Sequence, residues 1–305
     1  MSETKVETGK MVQKEATAWQ GQSKGTPLGY QIFIWLMRYL GMGAGYFVLI
    51  FVAFYYYLFA RKEVQASRFY NQQILKLGFW KTQRNVYLQF YKLGQTLLDK
   101  VAILAGFSKK FTFAFDGEDK IRALATSDKG TILLSAHVGN WEIAGQLLNR
   151  IGVPVHIVMY DNEYQNIRQL MEKTMGDKHF NAILIKDDFS HLIQIHQAIK
   201  RKEVICIHGD RFVERNRKKT ALVDFMGKEA RFPLGPFELV SRFKIPCLFV
   251  YGLKKTAKHY QFYAFDGPEN PKNAETVLDA YKTALEKIVR KYPTQWFNFY
   301  DFWEK

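Results

Sequence analysis

The sequence has very little cysteine, since only Cys206 and Cys247 occur among its 305 residues. Each stands inside an apolar run, VICIH or PCLFV, which is typical of a small buried side chain in a reducing compartment. Two such cysteines exclude a disulfide-built scaffold. The sequence also lacks an internal repeat of about 20 to 50 residues and any low-complexity tract, so no repeat architecture is expected.

The motifs of three large enzyme classes are missing from the part of the chain expected to fold. There is no H-E-x-x-H zinc helix and no G-x-x-x-x-G-K-[ST] phosphate loop, and G-x-S-x-G occurs only as GQSKG within the polar N-terminal 28 residues, without the buried strand that an elbow requires. These motifs serve serine hydrolases, zinc proteases and P-loop enzymes respectively. The sequence therefore disfavours all three classes, and a catalytic group must be sought elsewhere.

Acidic residues are in deficit, because 29 Asp and Glu stand against 44 Lys and Arg, a net charge of +15. This excess favours an anionic partner: nucleic acid, phospholipid headgroups, or an acidic or phosphorylated substrate. No nucleic-acid-binding motif is present, so we expect no nucleic acid among the partners.

Hydrophobic residues make up 48%, which is enough for a sizeable core. A mean hydropathy of −0.23 excludes a polytopic transporter.

One long uncharged run interrupts this polar composition. Residues 39–60, YLGMGAGYFVLIFVAFYYYLFA, carry no charge, and about 20 apolar residues span a bilayer as a helix. We therefore predict a membrane anchor over residues 29–62, after a polar, flexible N-terminus over residues 1–28. A signal peptide is disfavoured because no small-residue cleavage site follows, and a very apolar core helix is the alternative.

Basic residues are more numerous after this run than before it. The positive-inside rule therefore leaves the rest of the chain in the cytoplasm. Two arrangements of the anchor remain open, a helix that spans the bilayer and a shallow hairpin that dips into it.

Beyond the anchor, the pattern of apolar residues changes twice. Residues 63–106 have apolar positions at helical spacing and predict two amphipathic helices. From Lys110 onward, short apolar strands alternate with helical stretches, which is typical of βαβ units. We predict an α/β fold, with a mixed, mostly parallel sheet flanked by helices, and one domain over residues 63–305. Reacting groups in such sheets lie at the carboxyl ends of the strands.

The strand TILLSAH ends in the sharpest chemical pattern, H-V-G-N-W-E. Gly139 permits a tight turn after His137, and Asn140 can cap a following helix. Glu142 then lies in the first helical turn, where its carboxylate can reach one imidazole nitrogen. His137 would thus be an oriented general base for a hydroxyl. The alternative is a structural histidine beside a glutamate that complements the helix dipole.

The strand VICIHGD ends in a second polar group, Asp210, which Arg211 follows. His208 and Asp210 could bind a metal ion, but no second ligand pair at metal-binding spacing accompanies them, so we expect no metal. Basic residues continue as far as Lys219. They form either a solvated charge run or a surface for an acidic carrier or a phosphorylated lipid.

The block DFMGKEARFPLGP follows this basic run and is punctuated by glycine and proline. It contains Gly227, Arg231 and Pro233. The composition predicts a loop that opens a helix, a place that can hold a phosphate or an oxyanion.

Five features occur together and in one order: the anchor, H-x-x-x-x-E after a buried strand, the Asp-Arg strand end, the block VDFMGKEARFPLGP and the terminal YPTQWFNFYDFW. On these features the chain resembles the bacterial lipid A biosynthesis acyltransferase family over most of its length. The resemblance implies transfer of a fatty acyl group from acyl carrier protein, or from coenzyme A, to a hydroxyl of a lipid or glycolipid acceptor. It places this reaction at the cytoplasmic face of the inner membrane and implies no cofactor beyond the acyl thioester.

The resemblance also assigns roles to particular residues. It implies that His137 and Glu142 form the catalytic dyad. We expect substrate contacts from a second set: Asn140, Arg168, Asp210, Arg211, Gly227, Arg231 and Pro233. The oxyanion is expected on backbone N–H groups of a loop or on a basic side chain.

Two positions depart from the family pattern and leave the acceptor open. Phe212 stands where lipid A enzymes usually have a second acid, and Lys178 and His179 stand where they tend to have an arginine. One alternative is a glycerophospholipid-type acyltransferase, which shares the H-x4-[DE] chemistry. Another is a membrane-tethered protein without enzyme activity that binds anionic partners through its basic face. The terminal aromatic residues 296–303 are either an interfacial anchor or a cap on the core.

Overall fold

The structure, a computed structural model, describes most of the chain between residues 27 and 303. It covers residues 27–104, 106–125, 128–140, 143, 153–160, 181–186, 188 and 190–303. Two predicted site residues, Glu142 and Arg168, lie outside these ranges, as does nearly all of the predicted N-terminal segment.

A seven-stranded sheet forms the centre of the described structure, beside a two-stranded hairpin. The strands are β1 (Thr112–Asp116), β2 (Thr131–Ser135), β3 (Val155–Tyr160), β4 (Asn181–Ile185), β5 (Val204–His208), β6 (Thr220–Phe225), β7 (Lys228–Pro233), β8 (Cys247–Lys254) and β9 (His259–Asp266). The sheet order is β1-β9-β8-β2-β5-β3-β4, and β6 pairs with β7. Every neighbouring pair in the sheet is parallel except β8 with β9, so the predicted mixed, mostly parallel sheet is confirmed.

The middle strand β2 shows why the sheet forms. Every residue of its sequence TILLS is buried, and such continuous apolar runs are typical of parallel strands that are covered on both faces. Its neighbour β5 reads VICIH and is nearly as apolar. Helices must therefore cover both faces.

The helices, numbered along the described chain, are α1 (Pro27–Tyr39), α2 (Gly41–Phe59), α3 (Arg61–Phe69), α4 (Phe79–Leu104), α5 (Glu118–Ala125), α6 (Ser190–Lys200), α7 (Gly235–Phe243) and α8 (Ala274–Lys291). The amphipathic helices predicted over residues 63–106 are found as α3, which a π-helical turn extends to Ile74, and α4. Asn273 caps α8, because its side chain accepts a hydrogen bond from Thr276 N at 3.0 Å.

The predicted anchor folds as two helices. Gly41 has a φ of +83°, a conformation that favours glycine and separates α1 from α2. Within the described residues, α2 is the one helix that is long and apolar enough to cross a membrane. It packs closely along α4, because a Cβ at Gly94 would lie 2.3 Å from Leu49 Cδ1.

Most of the block that was predicted as a helix-opening loop is a β-hairpin, so the loop is wrong, although a helix does begin at the end of the block, at Gly235. Phe225 pairs with Lys228 across a two-residue turn. The turn residues Met226 and Gly227 have φ values of +60° and +87°, as a type I′ turn requires. Arg231 lies in β7, and α7 begins only after that strand ends.

The terminal aromatic residues cap the core. Trp296 is fully buried and Trp303 nearly so. Trp303 Nε1 donates a hydrogen bond to the carbonyl of Phe225 at 3.0 Å. Of the two alternatives for this segment, the structure favours the cap.

Candidate active site

His137 and Asp210 meet at the carboxyl edge of the sheet because β2 and β5 are parallel neighbours. The register pairs Ser135 with His208, so the residues two positions further along both strands leave the sheet side by side. Parallel strands bring their carboxyl ends to one edge, where loops build the sites of α/β proteins. The two polar strand ends of the sequence therefore belong to one site.

The carboxylate of Asp210 accepts two hydrogen bonds from His137. Oδ1 lies 2.8 Å from the ring nitrogen Nδ1, and Oδ2 lies 2.9 Å from the backbone nitrogen. The carboxylate is 1% exposed and the imidazole 16%. Because an ionised carboxylate can only accept, Nδ1 carries the proton of the neutral ring and Nε2 is its basic nitrogen.

The surroundings keep Asp210 ionised. Burial by itself would raise the pKa of Asp210, but the charge and hydrogen bond of His137, with Arg211 nearby, hold it well below its ordinary range. The ring centroid of His208 lies 4.3 Å from that of His137. Burial, and then the charge of His137, hold the pKa of His208 well below its ordinary range. Within this cluster, Asp210 is therefore the anion and His208 is a neutral imidazole.

Backbone hydrogen bonds hold the loop that carries His137. Gly139 N donates to the carbonyl of Gln295 at 2.8 Å, and Phe297 N donates to the carbonyl of His137 at 3.0 Å. Gly139 has a φ of +65°, and a Cβ there would lie 2.1 Å from the carbonyl oxygen of Gly252. Only glycine fits this position, which confirms the predicted tight turn.

The N–H groups of residues 137–140 all donate within the protein. Their acceptors, in chain order, are Asp210, Ala136, Gln295 and Gly252. Because these N–H groups are already engaged, a basic side chain is a better candidate than they are for stabilising the oxyanion. Arg211 is the basic residue beside Asp210, and its guanidinium donates to the carbonyl of Phe297 and lies 5.6 Å from the ring centroid of Tyr300.

Asn140 is directed into the protein. Its side chain is nearly fully buried, and its Nδ2 donates to the carbonyl of Thr96 in α4 at 3.1 Å. The described structure therefore gives Asn140 a role in attaching the loop to α4, and substrate contact by this residue stays a prediction.

A buried ion pair lies behind this loop and was not predicted from the sequence. Asp99 of α4 and Lys254 of β8 are 0% and 1% exposed, and the hydroxyl of Tyr260 also donates to Asp99. Burial raises the pKa of Asp99 and lowers that of Lys254, so the interior opposes both charges. A lone Asp in α4 and a Lys after an apolar strand carry no local signal for such a pair.

Three of the predicted site residues come together: His137, Asp210 and Arg211. The hairpin carries three others, Gly227, Arg231 and Pro233. It is linked to the loop of His137 through the C-terminal segment, whose Trp303 bridges to Ala230. Substrate contacts by the hairpin residues stay predictions, as do the roles of Glu142 and Arg168.

One group of potential metal ligands overlaps the site. Donor atoms of His137, His208 and Asp210 lie within 4.8 Å of one another. The contact between His137 Nδ1 and Asp210 Oδ1 is a hydrogen-bond distance of 2.8 Å. Two ligands of a tetrahedral zinc would stand about 3.3 Å apart, given bond lengths of about 2.0–2.1 Å. The geometry is therefore that of a hydrogen-bonded pair, and the absence of a metal stays a prediction.

A histidine whose ring is held by a buried carboxylate at the carboxyl edge of the sheet is suited to act as the general base of an enzyme. A family model of the bacterial lipid A biosynthesis acyltransferases matches residues 93–305. The chain belongs to this family, which confirms the resemblance seen in the sequence. It is thus an acyltransferase, and its family acts in lipid A biosynthesis. A search among curated proteins found no match.

Proposed function

We propose that the protein transfers a fatty acyl group from acyl carrier protein to a hydroxyl of a membrane lipid or glycolipid, at the cytoplasmic face of the inner membrane. The observation that carries this proposal is the pair of His137 and Asp210 at the carboxyl edge of the sheet, with Nδ1 and Oδ1 2.8 Å apart. The reaction needs no metal or cofactor, because the acyl thioester supplies the activated carbonyl.

The chemistry follows from the protonation states of this pair. Nε2 of His137 takes the proton of the acceptor hydroxyl while its oxygen attacks the thioester carbonyl carbon. The negative charge of Asp210 stabilises the imidazolium that forms, and Arg211 stabilises the oxyanion. The carbon–sulfur bond then breaks, and the sulfur takes the proton from His137. The products are an ester and a free pantetheine thiol, without an acyl-enzyme.

The surface beyond the site supports an acidic donor. Directly after Arg211, the short helical turn Glu214–Lys219 carries Lys218 and Lys219 on the outside. A small acidic carrier protein can be steered by such a cluster, whose effect on association falls as the salt concentration rises.

Mass spectrometry of total lipids from cells that lack the protein tests the reaction. Complementation with the wild type should restore one acyl chain on one lipid class, and His137→Ala should not restore it. The chain offers a matched control in His156, whose Nε2 lies 2.7 Å from Glu203 at the opposite edge of the sheet. We expect His156→Ala to restore the lipid. Full restoration by His137→Ala would show that His137 is not the base.

The donor is tested with purified protein and two thioesters. The double substitution Lys218→Glu and Lys219→Glu should raise KM for acyl carrier protein by roughly tenfold. It should leave transfer from a short, uncharged acyl thioester unchanged. Lys200→Glu, at the exposed end of α6, is the control and should change neither. An unchanged KM in the double variant would argue against carrier docking on this turn.

A further inference from the structure

We propose that α1 and α2 lie in a single leaflet of the membrane as part of the domain, and that the outer face of α2 is a docking surface for phospholipid. This inference deepens the location given under the proposed function and rests on it. The observations that carry it are the contacts of α2 with the rest of the protein, its uncovered side chains and the charges around them.

Both ends of α2 are attached to the domain. Near its start, the Tyr46 hydroxyl donates to Asp99 and accepts from Lys254 Nζ at 2.9 Å. Near its end, the Tyr57 hydroxyl donates to Gln83 of α4 at 2.9 Å. Eleven residues separate the two tyrosines, or about 16 Å along a helix. The helix therefore runs along the domain surface and does not project away from it.

The first helix is attached as well. Met37 of α1 is almost fully buried in a cluster with Phe111 and Tyr260, both of which belong to the described body of the domain. A Cβ on Gly45 would contact Phe33 and Met37 of α1. The two helices thus fold back on each other and share part of their core with the sheet.

The opposite face of α2 has no cover within the described structure. A stripe of large apolar side chains runs along it at helical spacing: Phe47, Phe51, Phe54, Tyr55 and Leu58, each about half or more exposed. The face carries no charge and no amide. A contiguous apolar patch of this kind marks an interaction surface, and hydrocarbon is the partner that an uncharged stripe fits.

Basic and aromatic residues border the stripe. Arg61 and Lys62 follow α2 directly and are exposed. Trp80, 82% exposed, and Phe79 begin α4, three to four residues before the contact of Gln83 with α2. Aromatic rings favour the headgroup level and basic side chains favour anionic headgroups. This border suits a bilayer with anionic lipid better than a second copy of this basic chain.

A spanning orientation conflicts with these contacts. Exposed charges flank α2 at two levels about 16 Å apart: Lys81 and Arg84 beside Tyr57, and Lys255 and Lys258 beside Ala257, whose carbonyl accepts from Tyr46. If α2 stood along the bilayer normal, a hydrocarbon core about 30 Å thick would enclose at least one of these two groups. Charged side chains in the hydrocarbon core are strongly disfavoured. An orientation in the plane of the membrane keeps these groups in water while the stripe is immersed.

Depth-dependent quenching distinguishes the two orientations. The full chain, with a fluorophore on Phe47→Cys or Leu58→Cys, is reconstituted in vesicles of phosphatidylethanolamine and phosphatidylglycerol. Burial raises the pKa of Cys206 and Cys247 to about 12, so neither thiol competes for the label at neutral pH. Lipids that carry a quencher near the headgroup or near the end of the acyl chain report depth. We expect the quencher near the headgroup to quench both labels to the same extent.

A spanning helix would place these labels about 16 Å apart in depth. Quenching of one label by the shallow probe and of the other by the deep probe would overturn the proposal. The absence of quenching together with crosslinking between copies would overturn it in favour of a dimer. These results do not depend on catalysis, so a failed orientation and a failed acyl transfer are told apart.

A matched pair of charge substitutions gives a second measurement. Phe51, 61% exposed on the stripe, and Ile193, 62% exposed on α6, are equally accessible. We expect Phe51→Asp to lower the fraction bound to these vesicles severalfold and Ile193→Asp to leave it unchanged. Neither residue belongs to the active site. Equal binding of the two variants would contradict a lipid-docked stripe.

Discussion

Replacing Asp210 with asparagine tests the central pair by changing one atom. The two oxygens of Asp210 accept from Nδ1 and from the backbone N of His137, at 2.8 and 2.9 Å. The side chain of asparagine has one acceptor, its oxygen, and one donor, its NH₂, so it can accept from only one of these two N–H groups. If its oxygen bonds the backbone, its NH₂ faces the ring, and the ring must move its proton to Nε2. In that tautomer His137 cannot accept the proton of a hydroxyl.

The expected loss of rate follows from the charge that the substitution removes. Opposite unit charges about 4 Å apart attract by about 4 kcal/mol at the effective dielectric constant of about 20 that fits protein sites. This stabilisation of the imidazolium corresponds to about 10³-fold in rate. The figure lies within the 10²–10⁴-fold that general base catalysis typically contributes. We therefore expect Asp210→Asn to lower kcat by about 10³-fold.

Single-turnover transfer from acyl carrier protein to lipid in vesicles measures this rate. Glu203→Gln removes the acid from the comparable pair with His156, where Nε2 and Oε2 are 2.7 Å apart. This control should transfer at the wild-type rate. Circular dichroism and the unfolding temperature establish that both variants are folded at the assay temperature. A folded Asp210→Asn variant with a rate within about threefold of wild type would refute the reasoning, because the pair would then not act on the reaction.

Three further predictions concern stability, measured as the free energy of unfolding in denaturant. Gly139→Ala places a Cβ 2.1 Å from the carbonyl oxygen of Gly252 at a left-handed φ. This substitution should lower the free energy of unfolding by about 3 kcal/mol. Lys254→Met leaves the Asp99 carboxylate buried without its cation and should cost about 3–5 kcal/mol, whereas Lys254→Met with Asp99→Leu should recover most of this loss. The pKa of Asp210 is lowered from 3.8 in the folded state, so its ionised form adds stability above about pH 4 that is lost as the pH falls through the folded pKa. Below about pH 4, the difference in the free energy of unfolding between wild type and Asp210→Asn should therefore narrow.

The two strand ends of the site were predictable, but their meeting was not. TILLS and VICIH read as buried strands followed by His137 and Asp210, because continuous apolar runs predict parallel strands. Their adjacency in the order β8-β2-β5-β3 is a pairing between residues about 70 positions apart. Either run could have paired with any other apolar strand. On the sequence alone, Asp210 is therefore expected to contact substrate and Glu142 to orient the base.

The hairpin was missed although its signal is present in the sequence. Ala230 and Phe232 are fully buried on alternate positions of β7, which is the two-residue period of a strand. The charged residues of the same strand, with Gly227 and Pro233, indicated a loop. A glycine in a two-residue turn between two such segments is a hairpin signal, and here the local turn chemistry outweighs the polar composition.

Helix α4 connects the docking surface with the catalytic loop. On one side, the side chain of Leu49 of α2 packs against Gly94. Two residues further along the same helix, the carbonyl of Thr96 accepts from Asn140, three residues after His137. Five residues beyond Gly94, Asp99 joins Tyr46 of α2 to Lys254. A segment of α4 that is one to two turns long thus contacts both the helix proposed to lie in lipid and the loop proposed to hold the base. Such a short connection suits an acceptor whose hydroxyl reaches the site while its acyl chains stay in the leaflet.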